Sequence, residues 1–342
     1  MSDGAKSSPV FHKAPETVLA AWLRPDVWSP GHSSGGFFRV LARFVLDNGG
    51  VVFGAAFDGQ FSLAHRGAET ERDCAALYGS KYLRSDTAAA YRDVRDALDA
   101  GRRVLYSGTP CQVAALYGFL GGRREGLVTA DLVCGGTPPA AVFRAYLERL
   151  RAGRGVVSVS FRDGPWKRPR FTAAFSDGSG YSRPLYETPF GRGFGMGLTL
   201  PKACGQCPYA RAERVADFTL GDFWGYSGPA PRKGGVSLVL VNSGEARQMT
   251  GISGDGEQAR HPLIGCLPAI YESVERPLAE AVRGNPRLSS PVKLHKDRDA
   301  FFRDFETNPY EETERRWLAR PPLPYRVLAR LTPSRIKRLL GR

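Results

Sequence analysis

Residues 104–153 read VLYSGTPCQVAALYGFLGGRREGLVTADLVCGGTPPAAVFRAYLERLRAG, and their pattern decides the fold. VLYSG is a short apolar run bounded by a turn, as expected of a buried strand. TPCQVAALYGFL then predicts a helix, with Thr109 at the N-cap, Pro110 in the first turn and Gly121 as the stop. LVTADLVC is the next strand, and TPPAAVFRAYLERLRAG a further helix with Thr137 as its cap. Strand and helix alternating in so short a span predict parallel strands covered by helices.

The same rhythm extends upstream. GGFFRVLARFVLDNGG (35–50) carries Phe37, Val40, Leu41, Phe44 and Val45 on one helical stripe. VVFGAAF (51–57) reads as a buried strand and TAAAYRDVRDALDAGRR (87–103) as an amphipathic helix. Beyond residue 156 the pattern changes. VVSVSFRDGPW and RFTAAFSDGSGYSRPLY alternate like antiparallel strands, with a hairpin turn at Asp177–Gly178. A Gly-rich stretch, FGRGFGMG, leads into LPKACGQCPYA, and ADFTLGDFWG and VSLVLVNS read as two more strands. The expected fold is α/β, a mostly parallel sheet with covering helices plus a smaller antiparallel β-rich unit. It divides into a loose Pro- and Ser-rich lead-in (1–30), an α/β half (31–156), a β-rich half (157–314) and a basic tail (315–342).

Of the 342 residues 42% are apolar and 24% charged, which suits a soluble globular protein and excludes wholesale disorder or a disulfide miniprotein. No stretch approaches the ~18 consecutive apolar residues of a membrane helix. MSDGAKSSPVFHK lacks the apolar core of a secretory signal, so a cytoplasmic location is expected. The formal charge of +14 is concentrated: residues 315–342 hold nine basic side chains and no acid, leaving +5 for the rest. A body that mildly basic does not argue for a nucleic-acid partner. In the tail, YRVLARLTPSRIKRLLGR, basic and apolar residues interleave as in a segment lying on anionic lipid. Pro333 divides it, which favours a solvated helix or a partner-docking segment over membrane-surface contact.

Six cysteines are too few for a disulfide scaffold. Cys111 falls in the first turn of a predicted helix, and Cys134 closes a predicted strand before Gly135–Gly136. In a parallel sheet both strands end at the edge where open α/β proteins bind ligands. A helix N-terminus also favours thiolate, the form that binds metal. Cys204 and Cys207 form a CxxC followed by Pro208, a spacing that lets one turn aim both sulfurs at a single centre. Four thiols from separate segments suit an all-cysteine zinc site or a cubane iron–sulfur cluster; a core-filling role is the plain alternative for each single cysteine. Cys74 and Cys266 have no partner pattern and read as structural.

Three short polar loops suit phosphate or cofactor contact: Ser33–Gly36 at a helix start, Gly79–Tyr82 with a hydroxyl, a cation and a ring, and the strand-to-helix turn Ser107–Thr109. None carries GxGxxG or GxxxxGK[ST], and ordinary caps and turns use the same residues. No general acid or base can be assigned. Asp131, Asp222 and His32 lie near the motifs, where structural hydrogen bonding is the simpler use of each.

Taken in order, SSGGFF…GGVVFGAAFD, YGSKYLRSD, VLYSGTPCQVAAL, DLVC-GG-P and CGQCPYA…RVADFTLGDFWG resemble the coenzyme F-420 hydrogenase/dehydrogenase beta-subunit family over about residues 20–305. That family also contains 7-hydroxymethyl chlorophyll a reductase. The resemblance implies an oxidoreductase with FAD and a 4Fe–4S cluster, exchanging hydride with a small-molecule substrate or deazaflavin (coenzyme F-420) and single electrons with the cluster. It implies Cys111, Cys134, Cys204 and Cys207 as cluster ligands. The flavin site it implies is lined by Ser34, Gly35 and Gly36, by Ser80, Lys81 and Tyr82, and by Ser107, Gly108 and Thr109, with Lys81 able to stabilise negative charge. Many relatives carry His where this chain has Gly135. Larger relatives also carry an N-terminal ferredoxin-like segment, which this chain lacks, so electrons leaving the cluster would pass to a separate protein or a second substrate. Stand-alone relatives are tied to cell-surface polysaccharide assembly. The rival expectation is a zinc-stabilised or cofactor-free accessory protein with a vestigial redox site.

Overall fold

The computed structural model describes residues 14–29, 31–231, 233–251 and 267–319. Eleven strands run in chain order: β1 (Thr17–Leu23), β2 (Val51–Phe57), β3 (Leu63–Ala68), β4 (Val104–Gly108), β5 (Leu127–Leu132), β6 (Val156–Asp163), β7 (Arg170–Phe175), β8 (Gly180–Pro184), β9 (Phe218–Asp222), β10 (Ser237–Val241) and β11 (Tyr271–Glu275). Eight of them form one sheet in the order β11-β1-β10-β9-β5-β4-β2-β3. Its centre, β2, β4, β5 and β9, is parallel, as the alternating sequence predicts. Antiparallel strands extend both sides: β3 beyond β2, and β10, β1 and β11 beyond β9. The three-stranded antiparallel sheet β6-β7-β8 is the expected smaller unit, and Gly178 (φ +81°) makes its hairpin turn. The fold is α/β.

Helix formation follows the local signals closely. Phe37–Asp47 buries the predicted stripe, each large side chain contributing ~1.5–3 kcal/mol. Pro110–Leu120 starts in a capping box: the Thr109 hydroxyl accepts from the backbone of Gln112, whose side chain accepts from the Thr109 N–H. It stops at Gly121 in the left-handed region (φ +76°). Val142, Phe143, Tyr146 and Leu147 of the helix Ala140–Arg151 pack on Phe161, Phe171, Phe175 and Phe190, joining the small sheet to the large one.

Several expectations are corrected. TVLAAWL, placed in the loose lead-in, is a fully buried strand between β10 and β11. The helix after β5 begins at Ala140 with Pro139 as its cap, not with Thr137, because two successive prolines supply no N–H and hold the chain extended. Strands β9 to β11 return to the first sheet, so only the small sheet stands apart beyond residue 156. Of the tail, Leu318 packs on Leu198 and Phe301, whereas the amphipathic segment from 325 and Cys266 lie outside the described residues. Among the described residues, no helix is long and apolar enough to cross a membrane.

Candidate functional site

A cavity of about 260 Å³ opens where β4, β5 and β9 end. Its wall takes in the three polar loops, the Cys134–Thr137 segment and Arg162 and Asp222. In the first loop, the Ser33 Oγ accepts from the Ser80 N–H (2.7 Å) and lies 2.8 Å from the Ser80 hydroxyl, tying the first loop to the second. Ser34 lines the cavity but donates its hydroxyl to Val236 O (2.7 Å). Gly36 is in the wall at φ +82°. Gly35 is not: it is pinned behind the wall, its N–H donating to Ser237 Oγ (2.9 Å) and its carbonyl accepting from Leu23 (2.8 Å). The Gly36 N–H turns to Ser33 O (3.1 Å), so neither glycine offers the phosphate-cradling N–H that a helix start suggests.

Lys81 sits in the wall with Nζ donating to Ala76 O and Tyr78 O, each at 2.8 Å. No carboxylate among the described residues pairs with it, and burial brings its amine down to about 7. Tyr82 meets Phe194 edge to face (5.2 Å) and accepts a hydrogen bond from Arg162 Nη1 (3.1 Å). Arg162 grips Asp222 with both nitrogens (2.6 and 2.9 Å), and Trp166 Nε1 donates to the same carboxylate (2.7 Å).

Strand β3 brings against the third loop a residue that its sequence setting does not reveal. His65 lies parallel to the Tyr106 ring (5.1 Å, 15°), with Nε2 2.9 Å from Ser107 O and Nδ1 3.0 Å from Ser85 Oγ. Those partners assign the hydrogen to Nε2, and burial lowers its pKa to about 4, so the ring is neutral. His32, also in the wall, is lowered to about 4 by burial and by Arg39. Gly108 and Thr109 complete this side, Thr109 Oγ1 lying 3.2 Å from Cys111 Sγ. Of the acid–base candidates, Asp222 is tied up by Arg162 and Trp166. Asp131 is absent from the wall and fully buried against Arg214 (3.0 Å).

Cys134 is the link between cavity and thiols. It lines the cavity, and Cys111, Cys204 and Cys207 all act on it electrostatically. Burial, then these neighbouring sulfurs, push its thiol up to about 12, the reverse of the helix-terminus expectation, since the next helix starts only at Ala140. Burial likewise raises Cys204, reinforced by Cys207 and Cys111. Among the described residues, no three His, Cys, Asp or Glu side chains draw together tightly enough to hold a single metal ion. The four thiols stand within electrostatic reach of one another without closing on one point. Cys74 is buried in the core, as expected.

Residues 101–253 match the family model that describes the carboxy-terminal part of the Coenzyme F420 hydrogenase/dehydrogenase beta subunit. Over those residues the chain is similar to this beta-subunit family. The F420 beta-subunit match spans β4 to β10 and contains all four cysteines. In fold, the chain is similar to a chain of the F420-reducing [NiFe] hydrogenase complex from Methanosarcina barkeri, with a TM-score of 0.50 and 16% identity over 82% of this chain and 96% of that one. No curated protein matches the sequence. That family is one of redox enzymes, and this chain has Gly135 in the cavity wall, where an added Cβ would meet only the Phe194 ring, at 3.5 Å.

Proposed function

We propose that this protein is a flavin-dependent iron–sulfur oxidoreductase, with FAD in the 260 Å³ cavity and a 4Fe–4S cluster on Cys111, Cys134, Cys204 and Cys207. The observation that carries the reading is Cys134, which belongs at once to the cavity wall and to the group of four interacting thiols. The donor set suits the cofactors. Four neighbouring thiols would repel one another once ionised, so they need a strongly cationic centre to ionise together, which a multi-iron core supplies. A largely apolar wall with an unpaired cation suits a planar ring carrying an anionic group. Bound flavin would supply the change from paired to single electron transfer.

The chain's own residues then have distinct tasks. Lys81 meets negative charge. Tyr82, held by Arg162 and packed on Phe194, orients the ligand's flat face, and neutral His65 fixes the Ser107 carbonyl and with it the turn leading to Cys111. A small-molecule hydride partner or deazaflavin would enter the cavity, and a separate protein would exchange electrons at the thiols.

Anaerobic purification with flavin, iron and sulfide analysis tests the reading. Yellow-brown protein with flavin and equal iron and sulfide is expected; colourless protein carrying zinc overturns it. Lys81→Met should weaken flavin binding roughly tenfold to a hundredfold, the value of a charge-assisted hydrogen bond of ~1.5–3 kcal/mol. The pH dependence has a definite sign. An anion beside Lys81 raises an amine that otherwise sits at about 7, so affinity is greatest below pH 7 and falls as pH rises through it. Flavin titrations on either side of that pH should show the trend in the native protein and not in Lys81→Met. Equal affinities for the two proteins would remove Lys81 from the site.

A further inference from the structure

Arg214 lines no part of the cavity, yet every N–H of its guanidinium is engaged. Nε donates to Thr219 Oγ1 (3.1 Å) and Asp131 Oδ1 (3.3 Å), and Nη2 to Asp131 Oδ1 (3.0 Å) and Leu132 O (2.9 Å). Nη1 donates to Tyr209 O (2.8 Å) and Arg211 O (3.1 Å). The side chain is only 1% exposed. Its three carbonyl partners come from two separate stretches. Tyr209 and Arg211 follow the Cys204–Cys207 turn, whereas Leu132 lies two residues before Cys134. The chain from Cys207 to Arg214 forms neither helix nor strand, so no ladder of its own fixes it to β5. On the other side of the turn, Arg298 donates to Leu200 O and Lys202 pairs with Asp299 (3.0 Å), which ties the approach to the turn but not its exit.

We propose that Arg214 is a positioning residue: its planar fork sets the distance between the Cys204–Cys207 turn and Cys134, so that thiols from two segments face a common centre. Asp131, itself tied by the Thr219 hydroxyl (2.6 Å), anchors that fork by neutralising it. Three features single out arginine. The site needs donors in three directions in one plane, permanent charge against a buried carboxylate, and reach to carbonyls of two loops. A lysine supplies the charge but not the fork. The proposal rests on the reading of the four thiols as ligands of one centre.

Cross-linking in reduced, metal-free protein separates the two ideas. A short bifunctional thiol reagent should link Cys204 to Cys207 and Cys134 to Cys207 in the native chain, mapped by peptide mass spectrometry. Arg214→Lys keeps Asp131 neutralised, so the chain should fold, with the Cys204–Cys207 product unchanged as internal control. The Cys134–Cys207 product should fall by about fivefold or more, because that reaction depends on orientation. Arg214→Met with Asp131→Asn removes both charges and should show the same selective loss. Unchanged Cys134–Cys207 linkage in either folded variant overturns the proposal, as does loss of the folded state in both, which would assign Arg214 to the core alone. A native chain that never links Cys134 to Cys207 overturns the shared centre as well. Selective loss in the variants, with zinc in place of iron in the native protein, leaves the positioning role standing and removes the redox reading.

Discussion

Gly35→Ala is expected to destabilise the protein by about 3 kcal/mol, at the upper end of overpacking effects. A Cβ at residue 35 would sit 2.2 Å from Ala21 O, 2.8 Å from Ser237 N and 3.0 Å from Trp22 Cα. All three are backbone atoms of adjacent strands, β1 and β10, locked in register within the eight-stranded sheet. None can swing aside as a side chain can. The loop would have to lift, breaking the bonds from Gly35 N–H to Ser237 and from Leu23 N–H to Gly35 O. Ser33 would then lose its place against Ser80, opening the cavity between its first two loops. Gly36→Ala makes the comparison. There the added methyl meets side-chain atoms and no backbone, Leu23 Cδ1 at 2.5 Å and Cγ at 2.9 Å with His32 Cβ at 3.6 Å, and φ +82° costs ~1–2 kcal/mol for an alanine. Urea unfolding should rank Gly35→Ala well below Gly36→Ala, and equal midpoints would refute the close-approach account.

Gly35 also illustrates what could be read in advance. A small residue at that point is legible from SSGGFF, but the sequence suggests ligand contact, whereas the cause is an approach between loop and sheet that appears only once β1 and β10 are paired. The helix Pro110–Leu120 was legible in full because its cap, its first-turn proline and its terminal glycine act within one turn of each end. β1 was not. Its apolar run sits among Pro and Ser residues, and its partners come from the far end of the chain. His65 and Arg162 escaped for a related reason: each looks like an ordinary polar residue on an alternating strand. What places them at the cavity is a partner 42 residues away for His65 (Ser107) and 60 away for Arg162 (Asp222). Asp131 has the structural use that its sequence setting favoured, though nearness to Cys134 said nothing of the arginine that closes it off. Local chemistry gives caps, turns and thiol spacing; the few polar groups that converge on the cavity wall are a tertiary product.

That wall yields the other large effect. Arg162→Met should cost about 3–5 kcal/mol, because it strands one carboxylate of a buried pair. The two side chains are 9% and 12% exposed, and their contacts join β6 of the small sheet to the end of β9 in the large one. Without the guanidinium, Asp222 keeps only the Trp166 indole N–H among the described side chains, and the Tyr82 hydroxyl keeps Ser80 but loses its charged donor. Arg162→Met with Asp222→Leu should recover most of the lost stability, since replacing both members of a buried pair by apolar groups is often near neutral. The flavin affinity should not recover with it: Tyr82 would be held through Ser80 alone, without the charged donor that fixes its ring against Phe194. A double-mutant cycle in urea, run beside flavin titrations of the same proteins, distinguishes these roles. If the single variant unfolds within about 1 kcal/mol of the native chain, the pair is not the clasp between the two sheets. If the double variant regains flavin affinity along with stability, the pair shapes the cavity only by keeping the chain folded.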